Sequence, residues 1–173
     1  MNTGECIRTL IGHMHTVVCL VHVETSSLNV LASGSYDKTI KLWNINTGTC
    51  LQTLYGHSDF IRSLILLDRL LLASGSYDCS IKLWDLKQNK NQYKCIRSLL
   101  GHASWITSLL FNNETRQLIS DSADNKIKVW NVETGECLHT FEGHVYGAGL
   151  ISNLNEIISS SYDGNIKVIE NLF

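Results

Sequence analysis

At 173 residues the chain has the length of one ordinary domain, and its 44% apolar and 17% charged residues exclude intrinsic disorder. The 14 Lys+Arg against 16 Asp+Glu leave a formal charge of −2, without the clustered positive charge that a nucleic acid or an anionic membrane surface requires. No basic segment followed by an apolar run opens the chain. The richest apolar stretch, Leu64 to Ala73, is broken by Asp68-Arg69 and too short to cross a bilayer, so a soluble protein of the cytosol or nucleus is expected.

In chain order, residues 5–11 predict a strand, and the dipeptide Gly12-His13 then opens a segment that returns at Gly56-His57, Gly101-His102 and Gly143-His144. The histidines are thus 44, 45 and 42 residues apart, a period that defines four units at about 5–45, 46–86, 94–132 and 133–173. Each unit predicts four short strands. In the second these are Cys50 to Tyr55, Ile61 to Leu67, Leu71 to Ser76 and Ile81 to Leu86, apolar or β-branched runs separated by turn residues. No stretch supports a helix. Asp37, Asp78, Asp124 and Asp163 each fall in a tight turn, where a carboxylate holds neighbouring backbone N–H groups. The polar stretch Lys87 to Tyr93 is the largest insertion. Residues 2–13, NTGECIRTLIGH, replay residues 133–144, ETGECLHTFEGH, so the N-terminal strand is expected to be the missing fourth strand of the last unit.

Cys6, Cys50, Cys95 and Cys137 recur at one position of the repeat, which places them on separate units and predicts free thiols in a reducing compartment. Each lies seven residues before a Gly-His histidine. Along a strand that odd separation spans roughly 23 Å and points the two side chains to opposite faces, so the pair cannot share a zinc ion. His15, His22 and His139 do not recur and read as surface or partly packed groups.

The segments ASGSYDKTIKLWN (Ala32 to Asn44), ASGSYDCSIKLWD (Ala73 to Asp85) and SDSADNKIKVWN (Ser120 to Asn131), each introduced by Gly-His, resemble WD40 repeats over essentially the whole chain. Trp-Asp is literal only at Trp84-Asp85; it becomes Trp-Asn at Trp43-Asn44 and Trp130-Asn131 and Ile169-Glu170 in the fourth unit. The chain also lacks proline, so the family's Pro-Asp-Gly turn is absent. The resemblance implies an all-β fold, a WD40-type β-propeller array of four four-stranded antiparallel blades, and the role of a non-catalytic scaffold or adaptor for other proteins or peptides.

Each unit brings together His, Ser and Asp, which imitates a hydrolase triad. An enzyme needs one activated nucleophile beside one oxyanion site, not the same trio in every unit. The resemblance supplies the alternative of buried hydrogen-bond sets: His13, Asp37 and Trp43; His57, Asp78 and Trp84; His102, Asp124 and Trp130; and, in a unit without the indole, His144 and Asp163. Each set takes one of two serines that share a strand face, and the sequence leaves open which one. The repeated Lys41, Lys82, Lys128 and Lys167 read as structural or solvated. No catalytic residue, metal or cofactor is expected.

Binding is expected on the face where the loop after Gly-His meets the Asp turn. Tyr36, Tyr77, Tyr162, Phe60 and Trp105 fall there, with Asp59 and Arg62 as a polar border. The repeat ending TGTCLQTLYGH also resembles those of ubiquitin-ligase substrate receptors. That reading is the alternative to a general scaffold, with a propeller enzyme a remote third. Because WD-type rings are larger than four blades, the arc is expected to be strained or open, either pairing with a second chain or forming part of a larger propeller.

Overall fold

The computed structural model describes residues 4–24, 29–68, 70–87, 93–142, 147–152, 156–161 and 164–170. Its strands form four separate antiparallel sheets in chain order. The first holds β1 (Val17–Glu24), β2 (Asn29–Ser35), β3 (Ile40–Asn44) and β4 (Cys50–Leu54). The second holds β5 (Ile61–Asp68), β6 (Leu71–Ser76), β7 (Ile81–Asp85) and β8 (Lys94–Leu99). β9 (Ile106–Asn112), β10 (Gln117–Ser122), β11 (Lys126–Asn131) and β12 (Cys137–Glu142) build the third; β13 (Gly147–Ser152), β14 (Glu156–Ser161) and β15 (Ile166–Glu170) build the fourth. The strands expected in the second unit lie within one residue of those observed.

Three sheets have four strands and the fourth has three. Residues 4–13 carry no strand, so the expected union of residues 5–11 with the last blade is not made within one chain. The physical reason is the course of the blades. β1 packs on β5, β5 on β9 and β9 on β13, but among the described residues no packing of that extent joins β13 back to β1. Among the described residues the blades thus form an arc that no such packing closes.

The core lies between blades rather than at a centre. One apolar cluster joins blades one and two through Ile40, Leu42, Leu54, Ile61 and Trp84. A second joins blades two and three through Ile81, Leu83, Leu99, Ile106 and Trp130. A third joins blades three and four through Ile127, Val129, Leu150 and Ile157. The second and third sheets are covered on both faces, which is why strict apolar-polar alternation is blurred in their sequence.

Blade contacts are close at one ladder position. A Cβ on Gly34 would stand 2.7 Å from Ile61 Cγ2, and one on Gly75 would stand 2.5 Å from Ile106 Cγ2. The first strand of the next blade thus inserts an isoleucine where the preceding blade has no side chain. At the third junction the order is reversed: Asp121 occupies the place of Gly34, and Gly147 occupies the ladder position of Ile61, opposite Ser161 as Ile61 is opposite Ser76.

Candidate protein-binding rim and its supports

Each of the first three blades holds a chain of side-chain hydrogen bonds running from Asp through His and Ser to Trp. His13, His57 and His102 place Nδ1 at 2.7, 2.7 and 2.8 Å from the Oδ2 atoms of Asp37, Asp78 and Asp124. Their Nε2 atoms lie 2.7, 2.7 and 2.8 Å from Ser33, Ser74 and Ser120 Oγ. The indole N–H groups of Trp43, Trp84 and Trp130 donate to those same serine oxygens, each at 2.8 Å. The choice of serine left open by the sequence is thereby made. The other member of each pair, Ser35, Ser76 or Ser122, holds the turn instead, accepting the N–H of the aspartate and donating to the carbonyl of His15, Asp59 or Ser104.

Each carboxylate is also tied to the loop after Gly-His, through the N–H of Met14, Ser58 or Ala103. Asp37 and Asp78 accept a further bond from the Thr39 and Ser80 hydroxyls, whereas the third blade has Lys126 at that position and uses only its N–H. Burial penalises the ionised form of Asp37 and Asp78, but the donors from Thr39, Met14 and His13, and from His57, Ser80 and Ser58, outweigh it. Both carboxyls are held well below the usual range. Asp124 shifts the same way, with burial outweighed chiefly by the Ala103 N–H and His102. Burial depresses His102 more than Asp124 raises it, which describes a neutral imidazole beside an ionised carboxylate.

These sets cannot serve as triads. Ser33, Ser74 and Ser120 are buried beneath an indole, with the hydroxyl already engaged by His and Trp, so no substrate carbonyl reaches the oxygen. The glycine before each histidine belongs to the same support: at Gly56, with φ 155°, a Cβ would press to 3.2 Å from Trp84 Cη2. The repeated lysines are structural as well. Lys41, Lys82 and Lys128 donate to Thr53, Ser98 and Thr140 on the outer strand at 2.8, 2.8 and 2.9 Å.

The supports fix one end of each of the first three blades. Tyr36 N donates to Thr16 O, Tyr77 N to Phe60 O and Ala123 N to Trp105 O, so the Asp turn and the loop after Gly-His lie side by side. There the aromatics join into a continuous line. Tyr36 stacks on Phe60 of the next blade at 4.5 Å, and Tyr77 stacks on Trp105 of the blade after it at 4.6 Å and 3°. Phe60 and Tyr77 connect the two pairs at 5.7 Å. His15 extends the line against Tyr36 and Phe60, a role hidden in the sequence because no other unit repeats that histidine. Trp105 is open at 45% exposure and His15 is exposed as well, while Tyr36, Phe60 and Tyr77 are half-buried by one another.

Asp59 stays in the rim loop and caps the N–H of Phe60. Arg62 instead occupies the bulge of β5 between Ile61 and Ser63, half-buried and near Cys19. Burial pushes the Cys19 thiol up to about 12, against the opposing effects of the Gly34 N–H and Arg62. Tyr162, Asp163 and His144 lie outside the described residues, as do residues 88–92 of the insertion.

The profile of the family described as "WD domain, G-beta repeat" matches residues 4–44, 48–85, 93–131 and 135–170. The chain belongs to the WD40 family, whose propellers act as non-catalytic protein-binding scaffolds. It is 40% identical, over 82% of its length, to a probable E3 ubiquitin ligase complex SCF subunit sconB of Arthroderma benhamiae, of which it spans 26%. CCR4-associated factor 4 of Saccharomyces cerevisiae is 31% identical over 82% of this chain and 18% of that protein. Autophagy-related protein 16 of Arabidopsis thaliana is 28% identical over 97% and 33%. The chain therefore spans between about a fifth and a third of these relatives. Among solved structures, the computationally designed Ika4 protein matches with a TM-score of 0.81, 33% identity and coverage of 96% of this chain and 98% of that one. The WD40 β-propeller domain of Doa1 matches with a TM-score of 0.79 and 26% identity over 92% of this chain but 52% of its own. No helix among the described residues is long and apolar enough to cross a membrane.

Proposed function

We propose that the chain is the target-recognition part of a ubiquitin-ligase substrate receptor, and that a partner protein segment lies across the rim over Trp105, Tyr77, Phe60 and Tyr36. The 40% identity to the sconB subunit supports the ligase class over a general scaffold. The observation that carries the site is the unbroken aromatic line from His15 to Trp105, since clustered aromatics with one open indole are the usual anchors of protein interfaces. Tyr162 would prolong that line on the fourth blade, and Asp59 in the rim loop would border it, with Arg62 behind it in the β5 bulge. The free cysteines fit a reducing compartment, cytosol or nucleus. The array works within a closed ring, as a homodimer or inside a larger propeller.

The rival surface is the shallow cleft at the opposite end of blade two, lined by Asp68, Leu70, Leu71, Asp85, Lys87 and Ile96. Affinity capture with the wild-type chain, Trp105→Ala and Lys87→Glu separates the two. The proposal expects Trp105→Ala to lose the captured proteins and Lys87→Glu to keep them, with those proteins losing ubiquitin conjugates when the receptor is depleted. Capture that survives Trp105→Ala and fails with Lys87→Glu assigns binding to the opposite face. Captured proteins whose ubiquitination is indifferent to depletion contradict the ligase reading and leave a scaffold.

A further inference from the structure

We infer that a second copy of this chain completes the fourth blade: residues 5–11 of one molecule add antiparallel to β15 of the other, and β1 of the first covers that blade's open face. The exchange occurs twice and closes a ring of eight blades. This inference is independent of what the rim binds.

The N-terminal segment already has the shape and seat of an outer strand, with its partner strand missing. Cys6 Sγ donates to Arg8 O, as Cys50, Cys95 and Cys137 donate to the carbonyls of Gln52, Arg97 and His139 on β4, β8 and β12. Arg97 of β8 reaches across to the next blade, donating to Thr134 O and Glu133 O and passing so close to Gly135 that a Cβ there would meet its Cδ at 2.6 Å. Arg8 lies in the same way over Gly48 of blade one, with a Cβ-to-Cδ approach of 2.9 Å. Residues 5–11 therefore stand beside blade one where the outer strand of a preceding blade belongs.

Both open faces are continuations of interfaces formed inside the arc. Ile127 and Val129 of β11 are fully buried by the next blade, yet the matching Ile166 and Val168 of β15 are 72% and 53% exposed. Ile61 and Ile106 are buried on entering the preceding blade, while Val17 and Leu20 on the same face of β1 are 44% and 60% exposed. The ladder position that is Gly34 or Gly75 elsewhere is Ser160 in blade four, opposite Gly149 as Gly34 is opposite Cys19. Serine adds a hydroxymethyl group to one side of the junction, and Val17 in place of isoleucine removes a methylene from the other, so the filled volume is kept. In the register of β11 and β12, Lys167 meets Thr9, Ile166 meets Leu10 and Ile169 meets Cys6, repeating the lysine-to-hydroxyl bond of the other blades.

Curvature selects a second copy over closure of the arc on itself. The four blades superpose on about half of the Doa1 propeller domain, so they turn through about half a circle, and among the described residues β13 makes no packing with β1 like that of β9 with β13. A head-to-tail contact that rotates by half a circle closes at two copies.

Sedimentation equilibrium of the purified chain tests this, together with Leu10→Glu and Val168→Glu, which mark opposite sides of the same junction. The expected wild-type mass is twice the 19.4 kDa of the chain. Each variant alone is expected to sediment as a monomer with unchanged far-ultraviolet circular dichroism, and an equimolar mixture to recover dimers, because one of its two junctions is then intact. A monomeric wild type, an open polymer, a dimer that survives Leu10→Glu, or a mixture of folded variants that stays monomeric overturns the inference.

Discussion

β11 and β15 carry nearly the same sequence, IKVW and IKVI, and occupy the same place in their blades, yet one is sealed and the other bare. Ile127 is fully buried and Ile166 is 72% exposed. The repeat alone dictates the strand, its hydrogen-bond ladder and its face; only a neighbouring blade dictates burial. In such arrays stability is a sum of unit terms and interface terms, and in a single chain the fourth blade, like the first, has one interface instead of two.

The largest difference is expected from the same truncation at the two places. Ile127→Ala removes a fully buried side chain and should destabilise by about 2–5 kcal/mol. Ile166→Ala, made in the Leu10→Glu background so that no second copy covers it, should change urea melts by no more than about 0.5 kcal/mol. Equal losses at both positions would mean that β15 is covered within a single chain.

Next in size are the hydrogen-bond sets. His57→Ala removes the imidazole that bridges Asp78 and Ser74, leaving each with one buried hydrogen bond fewer, and is expected to cost about 1–3 kcal/mol in urea melts. His144→Ala should cost less, because Ile169 offers no indole N–H to its set. A fourth blade as sensitive as the second would show that its support does not depend on the tryptophan.

Acid should weaken the folded chain in two stages, the first through His102 of the third blade and the second through the three turn aspartates. His102 has a lowered pKa in the folded chain, so the unfolded chain takes up more protons and stability falls as pH drops below the unfolded value of about 6.5. Asp37, Asp78 and Asp124 are held low, so their contribution is complete above about 4 and is lost as pH falls through their folded values. His102→Gln should remove the first stage and leave the second. Melting temperature followed from pH 8 to pH 3 reads both.

The smallest effect concerns the turns. Lys38, Cys79 and Asn125 follow the turn aspartates with φ of 70°, 67° and 68°, and Gly164 stands at the same position with φ 82°. Cys79→Gly is expected to gain at most about 1 kcal/mol by relieving left-handed strain, offset in part by chain entropy. Thermal melts that show a loss larger than that would mean the Cys79 side chain holds the turn.

The blades were legible because the same residues recur at strand and turn positions, so one unit taught the reading of four. Which serine joins each set was not legible: Ser33 and Ser35 share a face, and only their depth separates them, one under the Trp43 indole and one at the turn. The aromatic positions could be read from the rim loops, but not that Tyr36 and Tyr77 would be half-covered by stacking on Phe60 and Trp105 of the next blade. The N-terminal segment announced itself as an outer strand by replaying β12. Among the described residues it joins no sheet, and which sheet such a strand joins depends on how the blades follow one another, which no single unit encodes.

Amide hydrogen exchange across β11 and β15 tests most directly whether burial here is conferred by the neighbour. In the wild-type chain β15 should be protected to the level of β11, and Leu10→Glu should release β15 while leaving β11 unchanged. A β15 that exchanges freely in the wild type, or one that keeps its protection in the variant, would contradict the account.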